Sequence, residues 1–274
     1  MMIQEILRDK KALVGLFLTG ILIVTAVFAP VLAPHDPYDQ NIESRLEGPS
    51  LEFLLGTDYL GRCVLSRIVF GTRLSLKIAI IIVGAQVLIG LGFGALAGYF
   101  GGVLDGLIMR LVDVFMALPS LVLALVLATI TGPGLAGITA ALCLTGWTEY
   151  ARVIRGDILA LREREFIKGA RVFGFSNSYI LIRHLIPNAL APIIVLATLS
   201  TGFVILLVAA FSFIGLGAQP PEADWGTMLN EGRAFMRMAP HLTIFPGIAV
   251  MTTTLAFNLL GDALRDAMDP RFKS

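Results

Sequence analysis

Charge is what this sequence has least of. Lys, Arg, Asp and Glu make up 15% of its 274 residues, against 56% hydrophobic residues, where an ordinary soluble domain is about one quarter charged. The scarcity is concentrated. Residues 12–34, 78–104, 114–148, 188–221 and 238–261 contain none of the four. A helix needs about 20 apolar residues to cross a bilayer, so these intervals describe an integral membrane protein. Cysteine is nearly absent: Cys63 falls in a hydrophilic stretch and Cys143 in an apolar one, which argues against a disulfide framework.

Catalytic signatures are missing as well. No Gly-Lys pair occurs, so there is no phosphate-binding G-x-x-x-x-G-K-[ST] loop, and neither H-E-x-x-H nor G-x-S-x-G is present. His35, His184 and His241 are widely spaced; a metal site is not expected of them, nor is a catalytic residue expected anywhere. Inside the apolar intervals the polar residues include Gln86, Asn258 and Thr252 to Thr254, with no ionisable group at depth. Ionisable groups in a membrane usually mark proton relays and ion paths, so an ion-coupled carrier or stand-alone channel is disfavoured. An intramembrane enzyme is more remote still.

What is there reads as six spans. Residues 12–33 form the first, preceded by Arg8, Lys10 and Lys11; it is longer than a signal-peptide core and lacks a small-residue cleavage pattern, so it is read as retained. Span 2 covers 76–98 and carries Gly84, Gly90, Gly92, Gly94 and Gly98, small residues that let helices approach closely where lipid supplies no hydrophobic drive. The turn signal Thr131 to Gly134 divides the next interval into spans over 112–131 and 135–150. Spans 5 and 6 follow at 189–211 and 241–261. With the N-terminus inside, 14 of the 21 Lys and Arg lie on the cytoplasmic side, so the positive-inside rule gives cytoplasmic N- and C-termini. Outside, "LLGTDYLGRCVLSRIVFGTRLSL" places Leu60, Val64, Leu65 and Ile68 on one helical face away from Arg62, Ser66, Arg67 and Arg73, which predicts an amphipathic interfacial helix. The second outside loop, 212–240, is expected to be turns rather than helix, from its Pro and Gly.

The longest cytoplasmic stretch, 151–188, is basic and ordered. Phe166, Ala170 and Phe173 recur at helical spacing, and Glu165 precedes Lys168 by three residues, a mild helix-stabilising pair. Gly174 is placed to end that helix, and Ser176 or Asn177 to cap a second one through "SYILIRHL". Arg183 and His184 suit its last turns, and Pro187 opens span 5. Two readings fit. One is a basic loop that fixes topology and touches anionic headgroups; the other is a docking knob for a soluble partner.

"GARVFGFSNSYILIRHLIPN" resembles the cytoplasmic EAA loop of ABC importer permeases. Three further stretches, "LLGTDYLGRCVLSRIVFGTRLSL", "SFIGLGAQPPEADWGTML" and "AFNLLGDALRDAMDP", are similar to the C-type permease subunits of the dipeptide, oligopeptide and nickel branch. The resemblance implies an all-α membrane protein with the six-helix type I importer permease fold. It divides the chain into an N-terminal part, 1–75, and a five-helix core, 76–274, with the coupling loop at 151–188. ATPase-coupling residues would be Lys168, Gly169, Ala170, Arg171, Phe173, Gly174, Ser176, His184 and Pro187. Outer-gate candidates would be Phe213, Gly215, Gly217, Gln219 and Trp225. The implied partners are a second homologous permease, two cytoplasmic ATPase subunits that hold ATP and Mg, an extracytoplasmic solute-binding protein and the lipid bilayer of a prokaryotic inner membrane. No nucleic acid is expected, and no cofactor on this chain. Lys168 stands where the loop's glutamate falls and Gly169 at its first alanine, while Cys63 replaces the aspartate usual after "LGR". The cargo implied is di- or oligopeptide, with nickel or a metal chelate as the alternative.

Overall fold

The computed structural model describes residues 9–268, and among them every regular element is helical. The first helix, α1 (Lys10–Val27), begins where the Asp9 carboxylate accepts from the Lys11 backbone N–H at 2.9 Å, and a short turn at Ala29–Leu32 prolongs it. Next comes α2 (Val64–Phe100), whose 37 residues fuse two expected elements. Span 2 extends without interruption back to Val64, so the second half of the segment assigned to an interfacial helix joins it, while Leu60 and Arg62 precede the helix.

That segment is corrected by burial. Arg62 and Arg67 are each 1% exposed. Arg62 lies 2.6 Å from Asp58 and 3.0 Å from Glu231, and Arg67 pairs with the same two carboxylates. Arg62 and Arg67 on the basic side of the supposed amphipathic helix therefore face protein rather than water, while Arg73 is exposed. Spacing shows which residues share a face but not whether acids from elsewhere cover it.

The expected third span is also not one straight helix. Helices α3 (Gly102–Met116) and α4 (Ser120–Thr131) meet at a bend of 81°. Pro119 lacks a donor and pushes the residue before it, Leu118, out of helical conformation. Helix α5 (Leu135–Arg162) then runs well past residue 150. After α6 (Glu165–Val172), α7 (Asn177–Phe213) runs unbroken through the expected junction at Pro187. A π-helical stretch, Ile180–Leu185, precedes that proline, and the Ile186 N–H donates to the Leu181 carbonyl five residues back. The wider turn makes room where an α-helical proline ring meets the carbonyl four residues earlier. So 151–188 is not a loop throughout: only residues 163–176 lie between the two long helices, α6 among them.

The outside stretch 212–240 is corrected too, since it contains a helix, α8 (Trp225–Arg233). Asp224 caps it, accepting from the Thr227 N–H at 2.9 Å, and Trp225 and Met228 bury against the core. The chain closes with α9 (His241–Met268). By length and composition, α1, α2, α7 and α9 are apolar enough to cross a membrane, and the bent α3–α4 pair makes a fifth candidate. Helix α5 is of crossing length, but its second half carries Glu149, Arg152, Arg155 and Asp157.

The pairing of α2 with α5 is the centre of the bundle. A Cβ at Gly94 would stand 2.5 Å from the Ala151 carbonyl oxygen, and one at Gly98 would stand 2.9 Å from that of Arg155. The two backbones touch where α2 has no side chain. Gly92, on another face of the same helix, has open space. Gly94→Leu is therefore expected to destabilise the chain by about 1–3 kcal/mol through overpacking, whereas Gly92→Ala leaves it unchanged. Thermal unfolding of the detergent-purified protein, followed by size-exclusion fluorescence, separates the two.

Candidate functional site

Residues 163–176 and the start of α7 form a knob at one end of the bundle. The Gly174 N–H donates to the Arg171 carbonyl at 3.0 Å, and the Phe175 N–H to the Ala170 carbonyl at 3.2 Å. With Gly174 at φ +79°, this is the left-handed glycine termination that the sequence predicts. The Ser176 hydroxyl then caps the next helix by accepting from the Tyr179 N–H at 3.3 Å. Phe175 stacks on Tyr179 with ring centroids 4.8 Å apart, and Tyr179 meets His184 edge-on.

The inner face of α6 is Ile167 and Ala170, both buried. They join Ala95 and Tyr99 of α2, Ile154 and Ile158 of α5, and Ile180 and Leu185 of α7 in one core. Polar contacts fix the same joint. The Tyr99 hydroxyl donates to the Asn177 side chain at 2.7 Å, the Arg171 guanidinium lies 5.6 Å from the centre of the Tyr99 ring, and Arg162 donates to the Gly98 carbonyl at 3.1 Å. The stripe of Phe166, Ala170 and Phe173 is thus split. Ala170 is inside, whereas Phe166 and Phe173 face out and Ile167 takes the inner position. Val172 and Phe173 are 87% and 84% exposed, and they form an apolar tip beside Gly174. Around it, Lys168 is exposed and 3.5 Å from Glu165, a surface pair of little energetic weight. Gly169 is partly covered, and Pro187 is exposed. Of the nine coupling candidates, Lys168 through Ser176 sit together. His184 is one step behind Tyr179, and Pro187 lies up α7 near the bundle.

At the opposite end the five gate candidates gather around one turn. Phe213 ends α7 under the Arg233 guanidinium, 5.9 Å from its ring centre. Gly215 lies in the turn at φ +93°, Gly217 is packed on Ser212, and the exposed Gln219 donates to the Gly217 carbonyl at 2.9 Å. Trp225 is sealed inside, its indole N–H donating to the Ile68 carbonyl at 3.1 Å. Burial pushes the Asp224 carboxyl above its ordinary pKa, against the hydrogen bonds from Thr227 that pull it down.

The ion cluster beside this turn escaped the sequence reading. Asp58 folds its own turn by accepting from the Leu60 and Arg62 N–H groups at 2.9 and 3.0 Å, while its other oxygen takes Arg62 and Arg67. Glu231 of α8 completes the group and also accepts from the Tyr59 hydroxyl at 3.2 Å. The spacing of Asp58, Arg62 and Arg67 was available as a signal, but the fourth member lies far along the chain. The three histidines remain apart: His35 against Phe53, His184 in the knob, and His241 3.3 Å from the Thr57 carbonyl.

Residues 90–274 match the model of binding-protein-dependent transport system inner membrane components, and residues 1–49 match that of the N-terminal transmembrane domain of oligopeptide transport permease C. The chain is 42% identical to a dipeptide transport system permease protein of Alkalihalophilus pseudofirmus, over 99% of this chain and 89% of the relative. It is 44% identical to a glutathione transport system permease protein of Pectobacterium atrosepticum, over 99% and 90%. A solved amino acid ABC transporter with histidines has a similar fold, with a TM-score of 0.55 at 18% identity, over 72% of this chain and 92% of that one.

Removing one member of a buried ion group leaves its partners charged and uncompensated, which costs about 3–5 kcal/mol. Glu231→Ala should therefore weaken the end of the chain that carries α8. Limited proteolysis should show cleavage within 34–63 at protease concentrations that leave the parent chain intact. Glu231→Asp should recover part of the protection.

Proposed function

We propose, from the premise that this chain belongs to the family of binding-protein-dependent transport system inner membrane components, that it is the permease subunit of an ATP-driven importer of short peptides. The relatives named for dipeptide and glutathione transport supply the cargo class. In this reading the chain provides half of the pathway, and a second homologous permease provides the other half. Two ATPase subunits hold ATP and Mg and dock on the knob, and a solute-binding protein delivers cargo to the end carrying α8. The knob and both termini are cytoplasmic in this reading, which the excess of Lys and Arg at that side supports.

The observation that carries this reading is the division of the knob into a fixed inner face and a bare apolar tip. Val172 and Phe173 are exposed beside a glycine turn, while Ile167 and Ala170 are locked to α2, α5 and α7. A free tip without the lock would move alone, and a lock without the tip would give a partner nothing to hold. Together they convert displacement of a docked ATPase into displacement of three membrane helices. The same division ranks the candidates. Phe173 and Val172 grip, Gly174 and Ser176 set the turn, and Ala170 with Arg171 transmits through Tyr99. Lys168 and Gly169 shape the outer face. His184 braces Tyr179, and Pro187 sits where the π-helical stretch joins the span. In the outer turn, Gly215, Gly217 and Gln219 form the backbone-rich rim of the gate. Trp225 and Phe213 anchor it to α2 and α8.

Two experiments test the coupling. A Cβ at Gly174 meets no neighbour among the described residues, so substitution there acts through backbone strain of about 1–2 kcal/mol for left-handed geometry. Gly174→Val should lower peptide uptake per ATP hydrolysed in reconstituted vesicles, and Gly174→Asn, which tolerates that conformation, should retain most of it. Equal coupling in all three proteins counts against the role. Separately, Val172→Asp with Phe173→Asp should abolish co-purification of the ATPase subunits while leaving the second permease bound. Undiminished recovery of the ATPases would rule out the tip as their grip.

A further inference from the structure

A second feature of the chain lies between its two ends. A cavity of about 350 Å³ opens where the break between α3 and α4 faces α5 and α7. Its apolar wall includes Phe115, Leu118, Phe203 and Leu207, and its polar wall includes Glu149 and Tyr150. This size lies within the range of small-ligand sites. Among the described residues no Lys, Arg or His lines it, so Glu149 places a negative charge on its wall without a counter-charge there. The nearest cation on α5, Arg152, is engaged with Asp113 at 2.7 Å.

Beside Glu149, Tyr150 is 1% exposed, and its hydroxyl is set against Ser200 on the same wall without a well-formed hydrogen bond. A buried hydroxyl left unpaired costs about 1–3 kcal/mol, a cost that a ligand in the cavity would relieve. Gln86 has given its N–H to the Leu142 carbonyl at 2.8 Å, which leaves its oxygen as a further acceptor. The polar wall is rich in acceptors and carries one anionic group. The chemistry complementary to it is an ammonium group on a small molecule with apolar substituents.

We infer that this cavity is a transit subsite in which Glu149 holds the free α-ammonium of a short peptide while the apolar wall takes its side chains. The assignment rests on the peptide-importer reading above and adds to it a specificity-determining residue. Glu149 is exposed at the cavity mouth, so an ammonium can exchange water for its carboxylate there while its substituents meet the apolar wall. A peptide with a blocked N-terminus offers Glu149 no cation and loses that attraction at this step, whatever the binding protein accepts.

The test uses the complete importer in lipid nanodiscs and in proteoliposomes. Without binding protein, radiolabelled alanyl-phenylalanine should bind the parent complex at least tenfold more tightly than N-acetyl-alanyl-phenylalanine, and Glu149→Gln should erase that preference. With binding protein, Glu149→Gln should lower maximal uptake of alanyl-phenylalanine about tenfold with the half-saturating concentration unchanged, and Glu149→Asp should restore part of it. Equal binding of the two probes by the parent complex overturns the subsite. Loss of the second permease from the purified Glu149→Gln complex also overturns it, by assigning the carboxylate to subunit pairing. A parent importer that moves no di- or tripeptide sinks the peptide reading itself, an outcome distinct from a transporting importer that is indifferent to residue 149.

Discussion

The contact between α2 and α5 is the constraint on which the other parts rely. Lipid tails are as apolar as leucine, so helices in a bilayer gain little from burying hydrophobic surface against one another and must instead pack closely. Gly94 and Gly98 let the α5 backbone, at Ala151 and Arg155, rest directly on α2. Everything at the knob end is built on that joint. Tyr99 follows Gly98 by one residue and carries both the hydrogen bond to Asn177 and the contact with Arg171. Ile154 and Ile158, on the same face of α5, complete the socket for Ile167 and Ala170.

The far end is held by a different force. There the segment before α2, the start of α2 and the helix α8 meet around Asp58, Arg62, Arg67 and Glu231. Buried charge groups are expensive to assemble and more expensive to break, so the cluster fixes geometry more surely than it adds stability. It pins α8, whose first residue, Trp225, reaches the Ile68 carbonyl of α2. A long apolar helix thus ends in close packing on one side and in electrostatics on the other. Between them lies the cavity with Glu149, bounded by the break between α3 and α4. Leu118 and Pro119 at the α3–α4 bend form part of its wall.

Much of this was legible in the sequence, for identifiable reasons. The apolar intervals gave the bundle, because backbone groups in lipid must be satisfied within each helix. Gly174 and Ser176 were legible because helix ends are local affairs: one needs a left-handed residue and the other an oxygen three residues before an N–H. The family motifs pointed to a permease, and the family match agrees. Misreadings arose where a distant partner decided the outcome. Arg62 and Arg67 look like the wet side of an interfacial helix until Asp58 and Glu231 cover them. Pro187 looks like a boundary until the π-helical turns before it make room. The stripe of Phe166, Ala170 and Phe173 counted spacing correctly, but Ile167, one residue along, is the side chain that meets α5 and α7.

By itself, then, the sequence determined which segments are apolar enough for a membrane, where charge accumulates, and where the chain must turn. Those properties depend on residues a few positions apart and on the solvent. Only the tertiary structure decided which charges are buried, which side of α6 is free, and that Glu149 lines a cavity beside a buried tyrosine. Each of these depends on what another helix places opposite. For Glu149 that is α7 and the break between α3 and α4, and no local pattern in the sequence encodes that juxtaposition.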